Sequence, residues 1–448
     1  MLSDLGKKSP IKGRSRLLVW NIFFSFLVKG WSAIVVLMMV PLTLNCLGAY
    51  QNGVWLTISS ILVWIDQMDI GLGNGLRNRL AVHLAHNDMQ EARQIVSSTV
   101  TMLICIVLPI LMFLLLLVWK TDVYNLLNVL PETIPELRLA LCCAVILVCM
   151  TFVLKFIGNV YMGMQLPAVS NFLMSLGQTI ALVGTWLLFI FGHASFFNIV
   201  VINTASPLLV YLLAYPYTFV LRFPFLRPSM RHVKLSSAIE LGNLGIKFFW
   251  LQIAGILQFM TANILISNFF SPAMVTPYQI AYRYLSLIIV AFAVICMPFW
   301  NATTDAYERG DMEWIRQSSQ RMNIITVIIA VTLVFMTIIS PFVYDVWIGD
   351  SCHVPFLMTV MMAFYIILLV LSMRYSYFLN GIGILRLQLC MTVFAILFIP
   401  LAWIVSSYTH SIIWFMAVMC LCNIPGIIVN IVQFNKILSG KATGIWKK

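Results

Sequence analysis

Six charged residues stand inside long apolar runs of this sequence: Lys29, Asp66, Asp69, Lys155, Arg283 and Arg374. A charge at mid-bilayer costs about 2.5–3.5 kcal/mol on insertion scales, less near an end, so such residues turn toward a bundle interior or a wet space. Four of the six are cations. Guanidinium and ammonium groups hold phosphates through charge-assisted hydrogen bonds, so a cationic interior suits an anionic cargo such as a phosphate or diphosphate. Lys29, Arg283, Arg374 and Lys155 are therefore the candidate cargo-binding residues. Lys29 reads as lying near mid-membrane and Arg283 about two turns from the outer face. Lys155 and Arg374 lie near the inner interface, where a long side chain can equally snorkel to water. The two acids keep two readings: a site for a coupling cation, or partners for Arg77 or Lys155 that lock helix ends together.

Polar neighbours share faces with these charges. Asn21, Ser25, Lys29 and Ser32 recur at helical spacing, as do Thr151, Lys155 and Asn159, then Asn171, Ser175 and Gln178, then Gln279, Arg283 and Ser286. Asn52, Ser59, Asp66 and Gly73 recur every seven residues. The densest stretch runs from Asp66 to Leu80, with two carboxylates, three glycines (Gly71, Gly73, Gly75) and then Arg77 and Arg79. Its G-x-G-x-G run follows no strand, so it is not a dinucleotide fingerprint. Close helix packing or a flexible corner accounts for the glycines. Asp66, Asp69, Gly71, Gly73, Gly75 and Arg77 form the candidate coupling or gating element.

The elements that hold these residues follow from composition. The chain has 448 residues, 61% hydrophobic and 9% charged. Soluble domains carry about 25% charge, so this chain reads as a polytopic membrane protein. Apolar segments of roughly 20 residues mean helices rather than a barrel. Twelve are expected, near 17–47, 53–72, 95–119, 138–160, 168–191, 197–220, 245–270, 277–300, 322–342, 355–379, 388–407 and 411–434. The first is too long for a cleaved signal and reads as a retained helix. With both termini cytoplasmic, the inner pieces, including a loop at 73–94, hold 21 Lys and Arg, and the outer loops hold two, Lys120 and Arg138. That bias is the positive-inside pattern, so the net charge of +12 calls for no nucleic-acid partner. The ten cysteines, mostly within apolar runs, show no zinc or disulfide spacing.

A short internal repeat links the halves: Asn87-Asp-Met-Gln-Glu-Ala-Arg-Gln resembles Gly310-Asp-Met-Glu-Trp-Ile-Arg-Gln at an offset of 223. The expected organisation is a basic N-terminus at 1–16, a six-helix lobe at 17–220, a basic linker at 221–244, a second six-helix lobe at 245–434 and a basic tail at 435–448. The expected fold class is all-α polytopic, about twelve transmembrane helices in two pseudo-symmetric lobes around a central cavity, the parallel-repeat pattern of secondary transporters. No P-loop, zinc motif or nucleophile elbow is present. Outer-face acids and histidines (Asp122, Glu132, Glu136, Asp345, Asp350, His193, His353, His410) are scattered. Neither an enzyme nor a cofactor or metal is expected, only coupling to H+ or Na+.

The stretch Gly53-Val-Trp-Leu-Thr-Ile-Ser-Ser60, followed by Asp69-Ile-Gly-Leu-Gly-Asn-Gly-Leu-Arg-Asn-Arg-Leu80, resembles the bacterial polysaccharide transporters. These include the O-antigen flippases of the multidrug/oligosaccharidyl-lipid/polysaccharide (MOP) exporter superfamily. The resemblance implies a MATE-like fold working by alternating access in the bacterial inner membrane. It implies a cargo of undecaprenyl-diphosphate-linked glycan moved from the inner to the outer leaflet. It also implies membrane lipids, a glycan polymerase and a chain-length regulator as partners. The alternatives are a multidrug exporter of the same superfamily, which needs an acidic cavity, and a membrane glycosyltransferase or polymerase, which needs a substantial outer loop with catalytic residues.

Overall fold

The computed structural model describes residues 11–67, 72–234, 261–384 and 386–446. Among these, all regular structure is helical. Helix α1 (Ile11–Gln67) bends at Gly48, whose φ of 67° and ψ of 173° break it into two arms with no connecting loop. The two apolar segments expected at 17–47 and 53–72 are thus two helical arms that meet at a kink rather than through a loop, because glycine accepts the positive φ without steric cost. Then follow α2 (Leu72–Ala85), α3 (Met89–Lys120), the short outer helix α4 (Val123–Leu127), α5 (Leu137–Leu154) and α6 (Phe156–Gly163). After these come α7 (Pro167–Ile190), α8 (Phe196–Pro216) and α9 (261–269). The second half continues with α10 (Pro272–Glu308), α11 (Met312–Ile348), α12 (Phe356–Ile382), α13 (Arg386–Thr409) and α14 (Ile412–Leu438).

Among the described residues, nine helical stretches are long and apolar enough to cross a membrane. Their exposed faces are apolar, as a lipid-facing surface must be. On α3, Leu108, Met112, Phe113, Leu116 and Trp119 all point away from the protein. The expected loop at 73–94 is instead largely α2. Leu72, Leu76 and Leu80, spaced by four, are fully buried on one face and pack the helix onto α3 and α6. Gly73 and Gly75 are buried within it. The expected segment at 138–160 is interrupted at Lys155, between α5 and α6. Residues 1–10 of the basic N-terminus and 235–260 of the linker and following segment lie outside the described residues.

The chain divides into two compact units. The first takes described residues of 11–47, 62–124 and 130–234. The second takes those of 48–61, 125–129 and 261–446. Part of the outer arm of α1 therefore belongs to the second unit.

The internal repeat is legible inside each unit. Asn87 and Gly310, at the offset of 223, both take positive φ (58° and 74°). The next residue caps the following helix: Asp88 accepts from the Glu91 amide at 3.2 Å, and Asp311 from the Trp314 amide at 3.0 Å. Arg93 donates to the Arg227 carbonyl, and its repeat mate Arg316 donates to the Leu438 carbonyl. Each arginine thus secures the chain at or just past the end of its half, Arg316 on the last residue of α14 and Arg93 on the chain beyond α8. A Cβ on Gly163 would lie 3.1 Å from the Arg77 carbonyl oxygen, and one on Gly381 would lie 2.9 Å from that of Trp300, the mate of Arg77. The same backbone-on-backbone contact is built twice.

Candidate functional site

In the second unit, a buried polar chain crosses between helices. The outer arm of α1 meets the start of α10 so closely that a Cβ on Gly53 would fall 1.7 Å from the Pro272 carbonyl oxygen. On the other side of the crossing, the Thr276 hydroxyl donates to the Ala49 carbonyl at 2.7 Å. Residues 53 and 276, and 49 and 272, are both separated by the repeat offset, so the two contacts are repeat mates of one another. The Asn52 amide reaches Thr276 Oγ1 at 3.4 Å, while its own Oδ1 is buried without a hydrogen-bond partner. Deeper along α10, Gln279 Nε2 donates to Asn263 Oδ1 at 2.7 Å, and Asn263 Nδ2 donates to the Leu56 carbonyl at 3.4 Å.

Gln279, Arg283 and Ser286 share one half-exposed face of α10, as their spacing predicts. Arg283 stands about three turns inside the helix. Among the described residues it has neither a carboxylate within ion-pair distance nor a hydrogen bond from its guanidinium. Tyr278 and Tyr365 are fully buried in the same unit. A half-exposed guanidinium with no partner among the described residues is chemically suited to an anion, whose charge would compensate its own.

The other cations differ in setting. Arg374 on α12 is 5% exposed, donates from Nη2 to the carbonyl and hydroxyl of Ser319 on α11 at 3.2 Å each, and lies 4.7 Å from the Tyr375 ring centre. Its Nε is buried without a partner. It holds α11 to α12. Lys155 is half-buried at the joint of α5 and α6, its amide closing on the Thr151 carbonyl at 2.8 Å. Lys29 is exposed on α1, in the middle of the arm 11–47 that precedes the kink at Gly48.

In the first unit, polar faces expected on α1 and α7 meet. Ser32 Oγ donates to Gln178 Oε1, and Trp31 Nε1 donates to Thr179 Oγ1 at 3.0 Å. Ser175, one turn away on α7, is buried with an unpartnered hydroxyl. Asp66 lies in the last turn of α1, its side chain outside the described residues, and Asp69 and Gly71 lie outside them altogether. Arg77 is exposed on α2. The described residues hold no His/Cys/Asp/Glu group fit for a metal ion, and all ten cysteines are free.

Asn263 and Thr276 were not singled out by spacing. Thr276 stands three residues before Gln279, so its position on that face was readable. Asn263 shares a helical face with Ser267, four residues on, but only the turn between α9 and α10 brings it to Gln279.

No family model matches the chain, and no curated protein matches it by sequence. Solved structures do. A MATE family multidrug-resistance transporter of the MOP superfamily, in an inward-facing conformation, aligns with a TM-score of 0.77 at 16% identity, covering 93% of this chain and 95% of that one. A MOP superfamily transporter from Pyrococcus furiosus, in which reverse polarity of the binding pocket suggests a different function, aligns at 0.61 and 14% identity over 98% of both chains. A MATE protein in complex with MaD3S aligns at 0.59 and 16% identity, also over 98% of both. At these identities the likeness establishes the fold: an all-helical, multi-pass membrane fold of the MATE type.

Proposed function

We propose that this protein is a secondary transporter that flips a polyprenyl-diphosphate-linked oligosaccharide from the inner to the outer leaflet of the bacterial cytoplasmic membrane, by alternating access driven by an ion gradient or the membrane potential. The observation that carries the reading is Arg283, a half-exposed guanidinium within a membrane-spanning helix that has no partner among the described residues. A diphosphate supplies the bidentate anion that a guanidinium fork matches. Gln279, one turn away, adds an amide suited to a hydroxyl-rich cargo. Lys29 supplies a second exposed cation. Arg374 and Lys155 act in this reading as helix-locking cations that tune the field. Asp66, Asp69, Gly71, Gly73, Gly75 and Arg77 form the gating or coupling element, with H+ or Na+ as the coupling ion. The expected setting is the inner membrane with both termini cytoplasmic, beside a glycan polymerase and a chain-length regulator.

The deciding assay is the side on which lipid-linked glycan accumulates in a deletion strain. Accumulation on the cytoplasmic face, restored by the wild-type gene but not by Arg283→Gln, is expected. The rival reading, a multidrug exporter, draws on the function named for the MATE neighbour above. It requires that deletion sensitise cells to organic cations while glycan export stays intact. The purified protein is expected to hydrolyse no ATP, and steady turnover would refute secondary transport.

A further inference from the structure

Residues 221–234 carry Arg222, Arg227, Arg231 and Lys234 and no acid. They follow the end of the candidate span Phe196–Arg222 and double back along the first turns of α3, itself the start of the candidate span Met89–Lys120. The return is fixed by specific bonds. Arg93 Nε donates to the Arg227 carbonyl at 2.9 Å, the Ser229 amide donates to Ser97 Oγ at 3.1 Å, and the Lys234 amide donates to Ser98 Oγ at 2.9 Å. Lys234 Nζ pairs with Glu91 at 2.8 Å. Ser97 and Ser98 are buried, so their hydroxyls serve the strap rather than water.

The strap is thus held where two membrane spans meet the water boundary. Its outward side is of two kinds. Leu221 is 74% exposed, Phe225 40% and Met230 75%. Between and beside them, Arg227 and Arg231 are exposed, and among the described residues neither side chain has a carboxylate partner. Lys234 is already neutralised by Glu91 and Arg222 is half-buried over the Phe223 ring, so the exposed charge without a carboxylate among the described residues belongs to these two arginines. Exposed apolar side chains alternating with unpaired cations at a bilayer boundary match a surface that offers hydrocarbon on one side and phosphate on the other.

We infer that the strap at 221–234 is a binding site for anionic phospholipid of the inner leaflet, with Arg227 and Arg231 on the headgroup phosphate and Leu221, Phe225 and Met230 among the upper acyl chains. This site is separate from Arg283 and stands whether or not the cargo reading holds.

The test uses the full-length protein in nanodiscs of equal phosphatidylglycerol and phosphatidylcholine, with retained lipid read by native mass spectrometry after gentle detergent release. The wild type should retain phosphatidylglycerol in clear excess. Two surface cations are worth on the order of tenfold or more at an anionic interface, so R227Q/R231Q should lose most of that excess. An unchanged ratio would overturn the proposal, as would removal of the bound lipid by millimolar inorganic phosphate, which would make the site one for free anions. A second arm keeps the arginines and replaces Met230 with photoreactive benzoylphenylalanine. Irradiation should yield phospholipid adducts, and adducts on protein alone would overturn the lipid assignment even if the double variant does not fold.

Discussion

The cytoplasmic ends expected for the two halves are built from the same backbone parts, and the halves differ instead in the charge carried deeper along their helices. In both, a residue of positive φ precedes an aspartate cap, an arginine secures the chain near the end of its half, and a glycine lies against a carbonyl. The candidate chemistry does not follow the repeat. The mate of Arg283 is Ser60, whose hydroxyl turns back to the Thr57 carbonyl, and the mate of Gln279 is Leu56. Helix-to-helix contacts and caps are thus duplicated, whereas the unpaired cation occurs on one copy only. The duplicated features are those that fasten the backbone: glycines where any side chain costs stability, and aspartates and arginines that satisfy main-chain groups. The single-copy features are those that face the half-exposed surface, where side chains are free to diverge.

The largest expected effect probes the asymmetric crossing of α1 and α10. Gly53→Val places a branched side chain where the Pro272 carbonyl already sits, and a rigid backbone cannot yield by that much. Loss of folded protein is expected in detergent size-exclusion. On the mate side, Thr276→Val keeps the shape and removes the hydroxyl's bonds to the Ala49 carbonyl and the Asn52 amide, costing about 1–2 kcal/mol. Equal melting of the two variants would erase the distinction.

Next comes Arg283→Gln, expected to lower surface glycan by roughly tenfold or more at normal protein level, since a charge-assisted contact is worth about 1.5–3 kcal/mol. Ser60→Arg in that background should not restore export. Restoration would mean that the halves are functionally interchangeable.

A smaller effect separates the two glycine contacts. Gly381→Ala meets the Trp300 carbonyl and the Thr303 side chain at 2.9 Å. Gly163→Ala meets the Arg77 carbonyl and the Leu80 side chain at 3.1 Å. Overpacking costs typically about 1–3 kcal/mol, and the Gly381 variant should melt lower. The smallest effect tests equality: Asp88→Ala and Asp311→Ala should each cost about 1 kcal/mol through loss of a cap, with matching shifts in thermal unfolding.

Much of the fold was legible in residue order, because in a bilayer every backbone group must be paired within its own segment and apolar length alone marks a helix. The segments near 95–119, 168–191, 322–342 and 411–434 all fall inside observed helices. The helical faces of Gln279, Arg283 and Ser286, and of Ser32 and Gln178, were readable from spacing. So was the repeat, because Asp88 and Asp311 act locally on their own helix starts. Reading 73–94 as a loop failed because its charged residues outweighed Leu72, Leu76 and Leu80, whose four-residue spacing matters only once α3 and α6 offer a surface to bury them.

Sequence alone determined the membrane class, the helical faces and the excess of cations within them, all properties of local spacing and transfer energy. Tertiary structure decided which cations are spent and which are free. Arg374 and Arg283 are both single arginines in apolar helices, and depth was the sole distinction their spacing offered. Packing gives Arg374 the carbonyl and hydroxyl of Ser319 and leaves Arg283 half-exposed with no counter-charge among the described residues. Whether a charge in a membrane helix is structural or available depends on what the neighbouring helices bring to it, and no spacing rule within one helix contains that information.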